Sequence, residues 1–124
     1  MTNFEFAKEI QARTKAFALR VIRMFQKLPR TDLARVLEKQ VLRSGTSVAA
    51  NYRAACRSKS RADFISKLGT AVEEADETLF WLELLEESGV VPRAKLGPLK
   101  AESEELLRIL SRSLITVKKG SRNS

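Results

Sequence analysis

Hydrophobic side chains recur every three or four residues along most of this chain, with polar side chains between them. This spacing places the apolar positions on one side of an α-helix and predicts amphipathic helices. Pro29 ends the first segment, Ser60 with Asp63 resembles a helix N-cap, and Gly89 suits a helix end. We therefore predict helices over residues of about 4–28, 32–57, 61–88 and 94–117, followed by a frayed polar tail at 118–124.

Each predicted helix has an apolar seam that would face a common core. The seams contain, in chain order, Phe6, Ile10, Phe17, Val21, Met24 and Leu28; Leu33, Leu37, Val41, Ser44, Val48, Tyr52 and Ala55; Phe64, Leu68, Ala71, Ala75, Leu79 and Leu82; and Leu99, Leu106, Leu110 and Val117. Because the connections are short, consecutive helices must run antiparallel. The predicted fold is one all-α domain at residues 1–117, an antiparallel up-down-up-down four-helix bundle. Gly97 and Pro98 would weaken the start of the fourth helix, so its regular part is expected from about Leu99.

The composition agrees with one helical domain and narrows the cellular setting. The 124 residues are 44% hydrophobic and include only five glycines and three prolines, which suits one domain made of helices. The single cysteine, Cys56, cannot form an intramolecular disulfide and favours a reducing compartment. No signal-peptide pattern or long apolar stretch is present, so export and membrane insertion are not indicated. We expect a cytoplasmic protein without a membrane partner.

Charge is segregated along the chain into three blocks. Residues 1–59 hold thirteen Lys/Arg against four Asp/Glu, residues 60–91 hold two against eight, and residues 92–124 hold eight against three. The net charge is +8, with an acidic block between two basic ones. This segregation predicts opposed surfaces that recognise different partners, whereas an even scatter of charge would serve solubility alone.

The basic residues form stripes on the predicted helices. On the second helix they lie away from the seam, at Arg35, Lys39, Arg43, Arg53 and Arg57. A second stripe, on one flank of the first helix, contains Arg13, Arg20, Arg23 and Lys27, and the turn before the third helix adds Lys59 and Arg61. At about 1.5 Å per residue, the stripe on the second helix is roughly 33 Å long, enough to meet several phosphates of a duplex.

These stripes predict nucleic-acid binding through phosphates. They lack interleaved aromatic residues, so the contacts are expected to be to the backbone of RNA or DNA and not to stacked bases. Binding of this kind is strongly salt-dependent and weakly sequence-selective. Alternatively, the basic residues form a solvated face and pair with acidic neighbours without binding nucleic acid. The sequence leaves this alternative open.

The outward side of the predicted third helix carries large apolar residues beside acidic ones. Phe80, Trp81 and Leu84 lie away from the seam, next to Glu73 and Glu77. An apolar patch with an acidic rim is typical of a protein interface, and tryptophan is a common anchor residue. Docking of this patch against the basic flank of another copy predicts a homo-oligomer, which closes into a ring when the rotation permits. An intramolecular salt-bridge network is the alternative.

Catalytic chemistry is not indicated. The chain has no histidine and no Gly-rich phosphate loop, and nothing in it implies a cofactor. Glu73 with Glu77, and Glu83 with Glu87, are carboxylate pairs one helical turn apart that could hold Mg²⁺ for phosphodiester hydrolysis. Since acidic helical faces are far commoner than metal sites, we predict neither a metal site nor an enzyme, and a metal-dependent nuclease is kept as a third hypothesis.

Part of the sequence resembles a known family. The resemblance lies in residues 43–57 (RSGTSVAANYRAACR), 64–69 (FISKLG) and 74–85 (EADETLFWLELL), followed by Ser88 and Gly89. It is to the bacterial four-helix-bundle family that includes the proteins encoded in intervening sequences of 23S ribosomal RNA genes. The resemblance implies an antiparallel bundle that assembles as a homopentameric ring, and it assigns no catalytic residue. Gly97 and Pro98 depart from the family pattern, which usually has ordinary helix formers there.

A similar fold is found in the accessory protein of diversity-generating retroelements, a basic pentamer that partners a reverse transcriptase and its RNA. By analogy alone, this likeness implies nucleic-acid binding and a protein partner such as a reverse transcriptase. Our leading prediction is thus a non-enzymatic homo-oligomer that binds nucleic acid through basic helical faces. The alternative is a protein-interaction scaffold or accessory subunit that does not bind nucleic acid directly.

Overall fold

A computed structural model describes residues 1–123, with side chains described as far as Gly120. It contains four helices, α1 (Asn3–Lys27), α2 (Asp32–Cys56), α3 (Arg61–Glu87) and α4 (Arg93–Asn123). No strand occurs within the described residues. The predicted all-α four-helix bundle is confirmed.

The helix boundaries follow local capping chemistry. The hydroxyl groups of Thr2, Thr31 and Ser60 each accept a hydrogen bond from a backbone N–H in the first turn of α1, α2 and α3. Gly89 has a φ of 78°, a left-handed conformation that glycine adopts without a steric penalty, and it lies just beyond α3. The connections between the helices are therefore only four or five residues long, and neighbouring helices must run antiparallel.

Two apolar clusters fill the bundle, one toward each end. The two-loop end, where residues 28–31 and 88–92 connect the helices, contains a core around Phe17, Val41, Leu82 and Leu96. The termini end, where α1 begins and α2 joins α3, contains a core around Ile10, Tyr52, Leu68 and Leu110. Helices α2 and α3 pack most extensively, whereas α1 and α4 share the fewest contacts.

One close approach explains the glycine in the middle of α2. A Cβ atom at Gly45 would lie 3.1 Å from Cγ2 of Val21, which is itself completely buried. A larger residue at position 45 would therefore separate α1 from α2. Glycine costs roughly 1 kcal/mol of helix propensity relative to alanine, and the tight contact with α1 offsets this loss.

The seam of α2 differs from the prediction at its first residue. Leu33 was expected on the inner face, but it is 58% exposed, whereas Leu37, Val41, Val48 and Tyr52 are buried as predicted. Leu33 lies in the first turn of α2 at the two-loop end, where α1 has already ended at Lys27 and α3 is about to end. The neighbouring helices therefore leave this turn uncovered.

Helix α4 is longer at both ends than predicted. It begins at Arg93 and includes Pro98, because Leu96 and Leu99 are buried and hold the first turns against the core. Pro98 is exposed, so the carbonyl group that loses its partner there can bind water. At the other end, the tail expected from residue 118 is helical as far as Asn123, and Ser124 lies outside the described residues.

A side chain from α3 accounts for part of this extension. The Arg61 guanidinium donates a hydrogen bond to the Val117 carbonyl at 3.1 Å. It also lies beside Gly120, where a Cβ atom would meet its Nη2 at 2.5 Å. Arg61 thus ties the last turns of α4 to the start of α3.

Candidate nucleic-acid interface

The outward face of α2 carries basic residues, and beyond its first turns it carries no acidic ones. Residues 39–62 contain no Asp or Glu. Along this face, Arg35, Lys39, Arg53 and Arg57 are all exposed, and none forms an ion pair within the described part of the chain. Unpaired cations on a surface without nearby carboxylates favour the approach of a polyanion.

Two shallow grooves meet at Arg53. One runs between α1 and α2 and has a volume of about 420 Å³, with Lys15 on its far side. The other runs between α2 and α3, has a volume of about 400 Å³, and is lined by Arg57 and Lys67. Three alanines, Ala49, Ala50 and Ala54, keep the groove floors low. We call Lys15, Arg53, Arg57 and Lys67 the cationic band, since they cross three helices on one side of the bundle.

The cationic band is only partly compensated. The Lys67 ammonium donates to Oδ2 of Asp63 at 2.9 Å, one turn back on α3, and this contact lowers the pKa of Asp63. Because both side chains are about 40% exposed, the pair is screened by water. Lys15, Arg53 and Arg57 have no such partner among the described residues.

Arg43 interrupts the predicted stripe on α2. Its guanidinium forms ion pairs with Glu74 at 3.3 Å and, more closely, with Glu77, both on α3. Arg43 therefore serves the α2–α3 contact, and the stripe is divided into Arg35 with Lys39 and Arg53 with Arg57. This is one instance of the salt-bridge alternative that the sequence left open.

Two further predicted cations are also used inside the molecule. Arg13 donates two hydrogen bonds to the Glu102 carboxylate on α4, at 2.9 and 2.8 Å, which raises the pKa of Arg13 above its ordinary value. Arg61 holds the end of α4, as described above. Neither guanidinium is free to meet phosphates without breaking a contact between helices.

The remaining predicted cations lie away from the cationic band. Arg23 and Lys27 reach the two-loop end, where they line a cavity of about 500 Å³ together with Lys95 of α4. Arg20 is half-buried one turn before Arg23, and Lys59 is exposed in the connection between α2 and α3. These residues were predicted to act together with the basic residues of α2 because of their charge alone. The prediction did not include Lys15, Lys67 and Lys95.

The predicted subunit interface on α3 is less exposed than expected. Phe80 is 50% exposed, but Trp81 and Leu84 are half-buried and pack against the core of the two-loop end. The Trp81 indole donates a hydrogen bond to Glu77 at 3.1 Å, and its ring meets Phe80 edge-on, with centroids 5.2 Å apart. Trp81 and Leu84 thus offer less surface to a partner than the sequence indicated, and their part in a subunit interface stays a prediction.

Two residues of α2 extend the exposed apolar surface. Leu33 and Val36 are 58% and 60% exposed. The Arg43 contacts with Glu74 and Glu77 set the antiparallel register, which places the first turns of α2 level with the last turns of α3. We call Leu33, Val36 and Phe80 the apolar patch. The acidic rim remains, because Glu73, Asp76 and Glu83 surround Phe80 in a depression of about 380 Å³.

Of the carboxylates singled out in the sequence, Glu77 has partners within the bundle. Glu77 binds Arg43 and Trp81, and the Asn51 amide donates to the Ser47 carbonyl and hydroxyl oxygens at 2.9 and 2.8 Å. Within the described residues, no three His, Cys, Asp or Glu side chains converge as a metal site would require. None of the described helices is long and apolar enough to span a membrane.

Comparisons with known proteins identify relatives of this chain. One solved structure, the crystal structure of a protein with unknown function from the S23 ribosomal protein family of Bacteroides thetaiotaomicron, is 36% identical. It superposes with a TM-score of 0.81, covering 87% of this chain and 96% of the other. No match was found among curated proteins. The likeness to retroelement accessory proteins is not among these findings and stays a prediction.

The family comparison covers most of the bundle. The model of the 23S rRNA-intervening sequence protein family matches residues 7–112, which include α2, α3, most of α1 and the first two thirds of α4. Together with the structural likeness, this extent supports the resemblance seen in α2 and α3. The chain therefore belongs to the 23S rRNA-intervening sequence protein family.

Proposed function

We propose that this protein is a non-enzymatic, cytoplasmic homo-oligomer that binds the phosphate backbone of RNA or DNA. The observation that carries the proposal is the outward face of α2, where Arg35, Lys39, Arg53 and Arg57 are exposed and unpaired among the described residues, and where no Asp or Glu follows Glu38. A surface whose only purpose was solubility would be expected to intersperse both charges. Here the acidic residues nearest to this face lie on α3, and Arg43 forms ion pairs with them at the edge between α2 and α3.

The geometry favours contacts to phosphates over contacts to bases. The grooves beside Arg53 are shallow and floored by alanines, and no aromatic side chain lines them. Such surfaces neutralise charge without reading base edges. With about four phosphates neutralised on a DNA duplex, the logarithm of the affinity should fall against the logarithm of salt concentration with a slope of about −3 to −4.

A pair of matched double variants tests this proposal. Arg53→Gln with Arg57→Gln removes two charges from the cationic band, and Arg108→Gln with Arg112→Gln removes two charges at the same spacing from α4. Both pairs lower the net charge equally, so a difference between them reports position. Fluorescence anisotropy with duplex and single-stranded RNA and DNA, at two salt concentrations, should show at least tenfold weaker binding for the α2 variant only. Equal losses, or no binding by the unmodified protein at low salt, would contradict the proposal.

Self-association is supported by a different surface. Within the apolar patch, Phe80 lies among acidic residues, whereas the exposed side of α1 offers Leu19 and Ile22 near basic residues of the same helix. Apolar surfaces with opposite charges are complementary, and contact between different surfaces of identical copies closes into a ring when the rotation permits. A ring of five is the size that the family resemblance implies.

Light scattering coupled to size-exclusion chromatography tests this second part. Phe80→Asp should shift the assembly toward a 14.0 kDa monomer, because a buried carboxylate at the interface would lack a partner. Ile115→Asp is the control, since Ile115 is exposed to a similar extent (53% against 50%) on α4. A monomeric unmodified protein at micromolar concentration would rule out the oligomer.

The two assays together separate the remaining hypotheses. An oligomer that does not bind nucleic acid would be a protein-interaction scaffold or an accessory subunit of a larger complex, for instance with a reverse transcriptase. Cleavage of nucleic acid that requires Mg²⁺ and disappears in Glu73→Ala would establish the nuclease hypothesis instead. Binding without cleavage is the outcome that we expect.

A further inference from the structure

The largest cavity among those described lies at the termini end of the bundle. It has a volume of about 610 Å³ and is lined by residues from all four helices. Phe6 comes from α1, Tyr52 and Cys56 from α2, Phe64 from α3, and Ile109 from α4. A volume of this size is in the range of small-molecule sites, and its lining is mainly apolar.

Short side chains line the mouth and wall of this cavity. Ala7 on α1 and Ser113 on α4 are half-buried in its wall, and Asn3 and Thr116 are exposed at its mouth. Helices α1 and α4 also share the fewest contacts of any neighbouring pair, so they leave a gap toward their ends. The cavity is therefore built into the sequence at several positions and does not depend on one side-chain rotamer.

The described part of the lining carries one charge. Arg112 is the single charged residue among the described lining side chains, and it forms no ion pair with any described residue. Burial raises the pKa of both the Tyr52 hydroxyl and the Cys56 thiol, so both are neutral near pH 7. An apolar cavity with a single cation complements a ligand that has an apolar body and a single negative charge.

We propose that this cavity binds a medium-chain monocarboxylate, with the alkyl chain between Phe6, Phe64 and Ile109 and the carboxylate on Arg112. Asn3, Ser113 and Thr116 supply polar groups near the same helix ends. The Ser113 hydroxyl already donates to the Ile109 carbonyl at 3.0 Å, so its proton is not available to the carboxylate, and Asn3 and Thr116 are the polar groups that can donate to it. Asn3, Phe6 and residues 113–117 lie outside the segment matched by the family model. The proposal is independent of nucleic-acid binding, because the cationic band lies elsewhere.

Cys56 provides a direct readout of occupancy. It is the only cysteine in the chain, it lines the cavity, and it is partly accessible. Decanoate, used below its micelle-forming concentration, should slow the alkylation of Cys56 by N-ethylmaleimide and should bind saturably in isothermal titration calorimetry. Decanol, which lacks the negative charge, and butyrate, which lacks most of the alkyl chain, are the control ligands. Binding of decanol as tight as that of decanoate would overturn the assignment of the carboxylate to Arg112.

Two variants locate the site. Arg112→Gln should weaken decanoate binding about tenfold, as expected for loss of a charge-assisted hydrogen bond, whereas Arg108→Gln, one turn away on α4, should leave it unchanged. Ala7→Leu should fill the cavity, abolish protection of Cys56 by decanoate, and leave the helical circular dichroism intact. Unchanged protection in Ala7→Leu would overturn the proposal. So would protection that depends on protein concentration and not on decanoate, because a second copy would then occupy the cavity.

Discussion

The two sides of this bundle are held together differently. Helices α2 and α3 pack closely and share the Arg43 ion pairs with Glu74 and Glu77, whereas α1 and α4 share few contacts and leave room for the largest of the described cavities, which residues of all four helices line. The cationic band lies over the closely packed side. A rigid surface holds charges at fixed spacing for a repeating polyanion, while a loosely packed side leaves internal volume for a small ligand. The same four helices thus offer two kinds of binding surface.

Truncation of one leucine on each side should reveal this difference most strongly. Leu82 on α3 and Leu110 on α4 are both completely buried. Leu82→Ala should lower the free energy of unfolding by about 4 kcal/mol, because the close packing around it cannot collapse into the space left behind. Leu110→Ala should cost less, about 2 to 3 kcal/mol, because the neighbouring end of α4 can move inward.

Urea unfolding followed by circular dichroism measures both variants under the same conditions. The slope of the free energy against urea concentration should be unchanged, so that the comparison reports the folded state. If Leu110→Ala costs as much as Leu82→Ala, the α1–α4 side is as tightly packed as the other.

A buried carboxylate on α2 is expected to weaken the packing at the two-loop end. Glu38 is 4% exposed, and its Oε1 has no hydrogen-bond partner among the described residues. Burial raises the pKa of Glu38, and the nearby charge of Arg35 only partly opposes this. Because folding raises this pKa, the contribution of Glu38 to the free energy of unfolding is most favourable below its ordinary pKa of 4.5, where the carboxyl group is protonated in both states. This contribution falls as the pH rises toward the pKa of Glu38 in the folded protein.

Glu38→Gln should therefore raise the free energy of unfolding at pH 7 by about 1 kcal/mol. The same variant should reduce the loss of stability between acidic and neutral pH. Thermal unfolding across pH 4 to 8 compares the two proteins, and Glu104→Gln, an exposed carboxylate on α4, is the control. A parallel pH dependence in Glu38→Gln and the unmodified protein would show that Glu38 is solvated in solution.

Two helical glycines distinguish close packing between α1 and α2 from open surface on α3. A Cβ atom at Gly69 would meet no atom within 4 Å, whereas one at Gly45 would lie 3.1 Å from Cγ2 of Val21. Gly69→Ala should stabilise the protein by about 0.5 to 1 kcal/mol through helix propensity and reduced freedom of the unfolded chain. Gly45→Ala should lose that gain, and its effect should be more favourable in a Val21→Ala background, where the close contact is relieved, although Val21→Ala itself costs stability. Equal stabilisation by both single variants would show that α1 and α2 separate readily.

The fold was predictable because its signals are local. The spacing of Leu37, Val41, Val48 and Tyr52 is enough to define the inner face of α2. The capping hydroxyl groups of Thr31 and Ser60 accept hydrogen bonds from N–H groups only three residues away. Leu33 escaped this reasoning, since periodicity does not show where the neighbouring helices end.

The candidate site was only partly predictable because it depends on register between helices. Arg43 meets acidic residues that are 31 and 34 positions away, so nothing local distinguishes it from Arg53. The absence of Asp and Glu from residues 39–62 was a usable signal in the sequence, and it points to the unpaired part of the α2 face. The cavity could not be inferred, because Asn3, Ala7, Ser113 and Thr116 come together only in the folded bundle.

The smallest expected effect concerns the one ion pair that joins α1 and α4 within the described residues. Arg13 on α1 and Glu102 on α4 form two hydrogen bonds, with 35% and 19% of their side chains exposed. Partly exposed pairs contribute little, so a double-mutant cycle with Arg13→Gln and Glu102→Gln should give a coupling energy of about 0.5 to 1 kcal/mol. A double-mutant cycle on Arg43 and Glu74 should give a similar or smaller coupling energy, because the Arg43 side chain is 49% exposed. A coupling energy near zero for Arg13 and Glu102 would show that the pair does not persist, and that α1 and α4 are joined at the termini end only through the core around Ile10 and Leu110.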